Sequence, residues 1–284
     1  MPETTTNLAN WGAASLATTA FLLLIALLYL RGWWVLARRM PRQVRAWRLN
    51  AFLAGLAMMW IAWSPELIRL THVLLMAHMA QHLLLMLLAP PLLLLGSPVL
   101  VFGRGLRRAS PEPDERFRIL GLSWVRRAAR WLTHPITAGC MMVATTIAWH
   151  IPRVFELAMG SANWNTLENG TFWASGMLFW WPVILPWPSK QQWPRWSVPL
   201  FLLGADLPIS VLSAYLAFCG HVVYSTYLSV PRFFDISALN DQVAAAMLMW
   251  VAMLLVFLVA AATVVVGLLE PTWGSEPESG HHST

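Results

Sequence analysis

The chain has 284 residues, 58% of them apolar and only 11% charged, with 18 tryptophans and a formal net charge of +6. That composition excludes a water-soluble domain with a solvated surface, because lipid must cover most of the side chains. It does not indicate a nucleic-acid partner either, since the basic residues are nearly all arginines gathered in two loops between apolar runs instead of spread over a docking face.

In chain order, residues 1–12 carry Glu3 and no Lys or Arg. The basic region of a secretory signal is therefore missing, and the first apolar run reads as a mature helix. Apolar runs of membrane length lie at 13–37, 47–64, 68–94, 134–152, 168–187, 197–218 and 240–268. They predict an all-α polytopic membrane protein, a bundle of about seven transmembrane helices. Within the third run, Ala89-Pro90-Pro91 is followed by LLLLGSPVLVFG, which predicts a broken helix or a partly re-entrant segment reaching Arg104. No repeat or soluble domain interrupts the pattern. Residues 1–273 are expected to form one transmembrane domain and 274–284 (GSEPESGHHST) a disordered cytoplasmic tail.

Orientation follows from arginine placement. The loop after the first run carries Arg31, Arg38, Arg39, Arg42, Arg45 and Arg48, and the loop after the third carries eight more arginines; Lys190 and Arg195 fall on the same side. Only Arg69, Arg153 and Arg232 fall in the alternate loops, so the amino terminus is expected outside and the carboxyl terminus in the cytoplasm. Trp33, Trp34, Trp60, Trp63, Trp180, Trp181, Trp187, Trp193 and Trp196 fit interfacial belts. Cys140 and Cys219 are too few for a disulfide framework and leave the redox compartment open.

Ionisable and metal-capable residues within apolar runs are costly and usually face a bundle interior. His78 and His82 (HMAQH) share one helical face, and Met86 continues the stripe. Imidazole with thioether suits copper; the structural alternative is interhelical hydrogen bonding by the histidines and packing by the methionine. The third run is expected to enter from outside, so that His72 lies near that surface, His78 roughly 9 Å deeper and His82 about 15 Å deeper. The outward ends of other runs bring His150, Cys219, His221, Glu168, and Asp241 with Gln242 toward the same side. His134, before Pro135, reads as a helix-terminal or capping residue. Asp206 lies deepest in its run and is open to three readings: proton relay, metal ligand or arginine partner. Asp241 is expected to cap the helix it begins. Met247 and Met249 read as packing, with copper handling second.

Several segments in order, HMAQHLLLMLLAPPLLLLGSPV, HPITAG, AWHIPRVFELAM, LENGTFWASGMLFWWPVI and NDQVAAAMLMWV, resemble the polytopic CtaG family of cytochrome c oxidase assembly factors. The resemblance covers residues 60–265 and implies a role in biogenesis of caa-type haem-copper oxidases in the bacterial inner membrane. By the same resemblance, His78 and His82 match the histidines of the family's third helix, His150 its WHxP histidine, and Asp241 with Gln242 its DQ pair. The sequence departs from the family at 164–169 (WNTLEN), where similar proteins often carry histidines and this chain has Asn165 and Asn169. Asn is a poor copper ligand, so Cys219 or His221 would have to compensate.

The expectation is thus an assembly factor that handles copper for the oxidase's catalytic subunit. Its partners would be oxidase subunits, a periplasmic copper chaperone and the lipid bilayer. The metal candidates are His78, His82, His150, His72, His221, Met86 and Cys219, with Asp241, Gln242, Glu168 and Asp206 as further functional residues. No nucleophile with a base, nucleotide-binding loop or redox CxxC is present, so no enzyme is expected. The rival readings are a copper or proton transporter, a haem carrier pairing His78 or His82 with His150, and a metal-free scaffold.

Overall fold

The computed structural model describes residues 2–39, 45–105, 123–186, 193–231 and 235–269. The expected tail, Arg42, Trp187, Lys190 and Arg232 lie outside them. Among the described residues the regular structure is helical, without a strand. The principal elements are α1 (Pro2–Arg39), α2 (Ala46–Ala62), α3 (Pro65–Thr71), α4 (Leu75–Leu95), α5 (Pro98–Leu100), α6 (Ser123–Leu132), α7 (Pro135–His150), α8 (Pro152–Gly160), α9 (Ala162–Ile184), α10 (Val198–Phe218) and α11 (Ala238–Leu269).

Four stretches are long and apolar enough to cross a membrane: Ser15–Arg39, Leu75–Leu95, Arg195–Phe218 and Ala238–Leu269. A fifth arises if α2 and α3, bent by 52°, count as one span. Helix α4 is central and packs against α2, α9 and α11, while α10 packs against α11 and α7. Two apolar clusters meet on it. One joins α4 to α7–α11, and the other joins its Ala89 and Leu93 to Tyr29 of α1 and Phe52 of α2. In lipid such contacts hold helices together by close packing more than by removing apolar surface from water.

The third apolar run is not one helix. Helix α3 ends at Thr71 and α4 begins at Leu75, with Leu74 extended between them. The depth ladder expected from His72 to His82 therefore holds only for His78 and His82.

The chain stays helical through Pro90-Pro91 to Leu95, and the expected break in this stretch falls at Gly96-Ser97, where Ser97 has φ 50° and helix restarts at Pro98. A proline denies a donor to the carbonyl four residues earlier and crowds it. Here Leu84–Leu88 widen into a π-helical turn, which gives that carbonyl room, and the indole N–H of Trp180 donates to the Met86 carbonyl at 3.2 Å. Trp180 is buried, so it serves the core and not an interfacial belt; Trp34, Trp60 and Trp196 are exposed, as a belt requires. Gly176 permits the approach of α9, since a Cβ there would lie 2.6 Å from the Met86 carbonyl oxygen.

Candidate metal centre

Three elements bring buried polar groups together. Helix α4 places His78 and His82 one turn apart with ring centroids 4.3 Å apart. Helix α9 contributes Glu168, whose Oε1 lies 3.3 Å from His78 Nε2 and 3.4 Å from His82 Nε2. The first contact is a hydrogen bond, whereas the second lacks hydrogen-bond alignment and leaves His82 with neither ring nitrogen bonded. One donor atom from each of these three residues lies within 4.8 Å of the others. Exposure is 0% for His78, 3% for His82 and 0% for Glu168, so water supplies almost none of the solvation that a carboxylate needs.

His150 arrives at the end of α7. Its position is set by the WHxP sequence, because Ile151 is extended before Pro152 and α8 restarts immediately. Its Nδ1 donates to the Thr146 carbonyl at 2.7 Å, which fixes the tautomer and leaves the buried Nε2 without a partner and with its lone pair free. The ring lies within charge–charge range of both His78 and His82. Met86 is buried on the same side of α4, its sulfur 4.0 Å from the Thr146 hydroxyl.

Aromatic rings enclose the cluster. His82 stacks on Phe172 at 4.0 Å, and His78 lies 4.9 Å from Phe155, which in turn contacts Tyr224 at 4.2 Å. Tyr224 donates its hydroxyl to the His150 carbonyl and Tyr227 to that of Thr71. Burial pushes both hydroxyls above the usual tyrosine range, so they remain protonated donors.

The other sequence candidates are placed elsewhere. His72 ends α3, and its imidazole is pushed below the ordinary range by burial first and by the neighbouring His78 second. His221 is exposed and bonds the Cys219 carbonyl in its own loop, while the Cys219 thiol contacts the His221 carbonyl. Neither residue is in the cluster of His78, His82 and Glu168. Asp206 accepts from Ser210 at 3.0 Å and leaves its Oδ1 buried and unpartnered. Met249 is core, and Met247 is exposed. His134 is the N-cap residue of α7 but makes no side-chain capping hydrogen bond.

Asp241 caps a helix, but not its own. Its carboxylate accepts from the N–H groups of Leu75 at 2.7 Å and Met76 at 3.0 Å, at the start of α4. Ser237 serves α11 instead, its hydroxyl accepting from Asn240 N–H. Gln242 accepts from Val223 N–H at 2.7 Å and donates toward the carbonyls of Leu216 and His221, both at 3.0 Å, and the Cys219 sulfur at 3.3 Å. The DQ pair thus ties α11 to α4 and to the loop after α10.

The arrangement matches the order of motifs along the chain, and residues 27–270 match the profile of the cytochrome c oxidase caa3 assembly factors, Caa3_CtaG. The chain belongs to that family. No curated protein and no solved structure matched it. Membership makes this CtaG-family protein an assembly factor for cytochrome c oxidase, a role that implies association with oxidase subunits. Its asparagines at 165 and 169 serve the cluster as hydrogen-bond groups: Asn165 donates to Glu168 Oε2 at 3.5 Å, and Asn169 to the Asn165 side chain at 3.1 Å. Sequence reasoning left Glu168 without a partner and missed Thr146, Phe155 and Phe172. The available signal was a lone carboxylate in an apolar run that contains no Lys or Arg.

Proposed function

We propose that this protein holds copper in transit to the copper centre of the oxidase's catalytic subunit, on His78, His82 and Glu168 with His150 as a further donor. The supporting observation is a fully buried carboxylate between two imidazoles with three of their four ring nitrogens unbonded. A buried anion needs a cation or a proton, and Cu²⁺ is the strongest binder among divalent first-row ions at nitrogen and oxygen donors. Met86, one turn beyond His82, offers the soft ligand that Cu(I) prefers. Phe155 and Phe172 pack directly against His78 and His82, where a porphyrin would have to lie, which favours copper over the haem reading. The role is read as transfer without catalysis.

The same proposal includes seven membrane crossings by α1, α2, α4, α7, α9, α10 and α11 in the bacterial inner membrane, with the amino terminus outside. Delivery would then come from a periplasmic copper chaperone. Reporter fusions after Arg130 and Ser229 should report opposite sides.

The deciding experiment loads detergent-purified protein with Cu(I) and measures bound metal, beside Zn²⁺ as competitor. Stoichiometric copper lost in His78→Ala/His82→Ala supports the assignment, and oxidase produced with that variant should lack copper at the catalytic subunit. Equal copper in wild type and variant, or none in either, overturns it.

A further inference from the structure

On the arginine-rich side of the fold, α1, α2 and the Gly96-Ser97 turn form a narrow, partly open recess of about 10 Å³, room for one water-sized group. Its polar lining consists of hydrogen-bond donors. Arg48 Nη1 donates to the Ser97 hydroxyl at 3.2 Å, while Arg48 Nε and Trp33 Nε1 are buried there without a partner. The Tyr29 hydroxyl is committed to the Gly96 carbonyl at 2.6 Å. Among the described residues no carboxylate pairs with Arg48. The floor, Leu100 and Val101, is apolar and buried.

A guanidinium in such a place is incompletely solvated, and two buried N–H groups without acceptors destabilise the recess as it stands. A single water would bond the donors but leave the charge uncompensated. An anion with several acceptor oxygens satisfies both needs, and arginine binds phosphate oxygens through its fork of donors.

We propose that this recess binds a phosphate group, carried by the headgroup of an anionic phospholipid. The recess admits one phosphate oxygen to Trp33 and Arg48 while the rest of the headgroup stays outside. Exposed Arg31, Arg38, Arg39 and Arg45 at the neighbouring ends of α1 and α2 raise the local concentration of anions. Leu23, Leu27 and Leu30, exposed along α1, offer the apolar surface on which acyl chains lie. Free phosphate has the same recognition chemistry without the chains.

The test uses the full-length protein in nanodiscs of phosphatidylcholine alone or with phosphatidylglycerol, read by native mass spectrometry and thermal shift, with a parallel titration of inorganic phosphate. Wild type should retain one phosphatidylglycerol through washing and gain thermal stability from it. Arg48→Gln should lose that retention by about tenfold or more, and Trp33→Phe, which deletes only the indole N–H, by a smaller factor. If Arg48→Gln does not fold, Trp33→Phe and Arg48→Lys carry the comparison. Displacement of the lipid by millimolar inorganic phosphate assigns the site to the phosphate alone. Equal retention of the zwitterionic lipid, or retention unchanged in both Arg48→Gln and Trp33→Phe, overturns the proposal. The outcome is independent of whether copper binds at His78.

Discussion

The indole of Trp180 donates to the one carbonyl, that of Met86, whose donors four and five residues on are both prolines. Pro90 and Pro91 have no N–H to give back, so the hydrogen bond from α9 replaces the one that α4 forgoes. Trp180→Phe, which keeps the ring but deletes the donor, should lower stability by about 1–3 kcal/mol. In a Pro90→Ala background the restored N–H should recover part of that loss. A thermal-denaturation double-mutant cycle in detergent measures the coupling, and strict additivity would contradict the account.

Two glycines of α9 make a controlled pair. A Cβ at Gly176 would meet the Met86 backbone at 2.6 Å, whereas one at Gly170 meets nothing within 4 Å. Gly176→Ala should cost about 1–3 kcal/mol by forcing α9 off α4. Gly170→Ala should be neutral or stabilising by about 0.5–1 kcal/mol through helix propensity. Thermal midpoints of the two variants, measured side by side, check the contrast.

Asp241 holds the N-terminus of α4 through two charge-assisted hydrogen bonds. Asp241→Ala leaves the Leu75 and Met76 N–H groups without partners and should cost about 1.5–3 kcal/mol per bond. Asp241→Asn keeps one acceptor and should fall between. Because α4 carries both histidines, hydrogen exchange at residues 75–79 should rise in the alanine variant in parallel with its loss of stability.

Glu168→Gln separates a metal-binding cluster from a structural ion pair. For a copper site, the glutamine keeps the shape, removes a buried charge, and leaves the metal-free protein as stable or more so. It should also abolish the stabilisation that copper confers on wild type. A structural ion pair with a protonated histidine predicts the opposite, a loss of about 3–5 kcal/mol in the metal-free protein. Thermal shift with and without copper distinguishes the two.

Helical class and membrane character were legible from the residues alone, since runs such as 240–268 satisfy their backbone polar groups in lipid only as helices. So was the set of chemically eligible residues, because a histidine or carboxylate in an apolar run needs a reason to be there. The pairing of His78 with His82 was legible too, as a local consequence of helical periodicity.

Tertiary structure alone decided which eligible groups meet. Glu168 faces His78 from another helix, ninety residues away along the chain. Asp241 caps α4, its contact to Leu75 spanning 166 residues. Trp180 rescues a carbonyl 94 residues distant. Cys219 and His221 lie outside the cluster of His78, His82 and Glu168, in a loop that Gln242 ties to α11. Periodicity reports the face of one helix, but a hydrogen bond between helices depends on which faces pack together, and apolar stripes that all look alike carry no record of that choice.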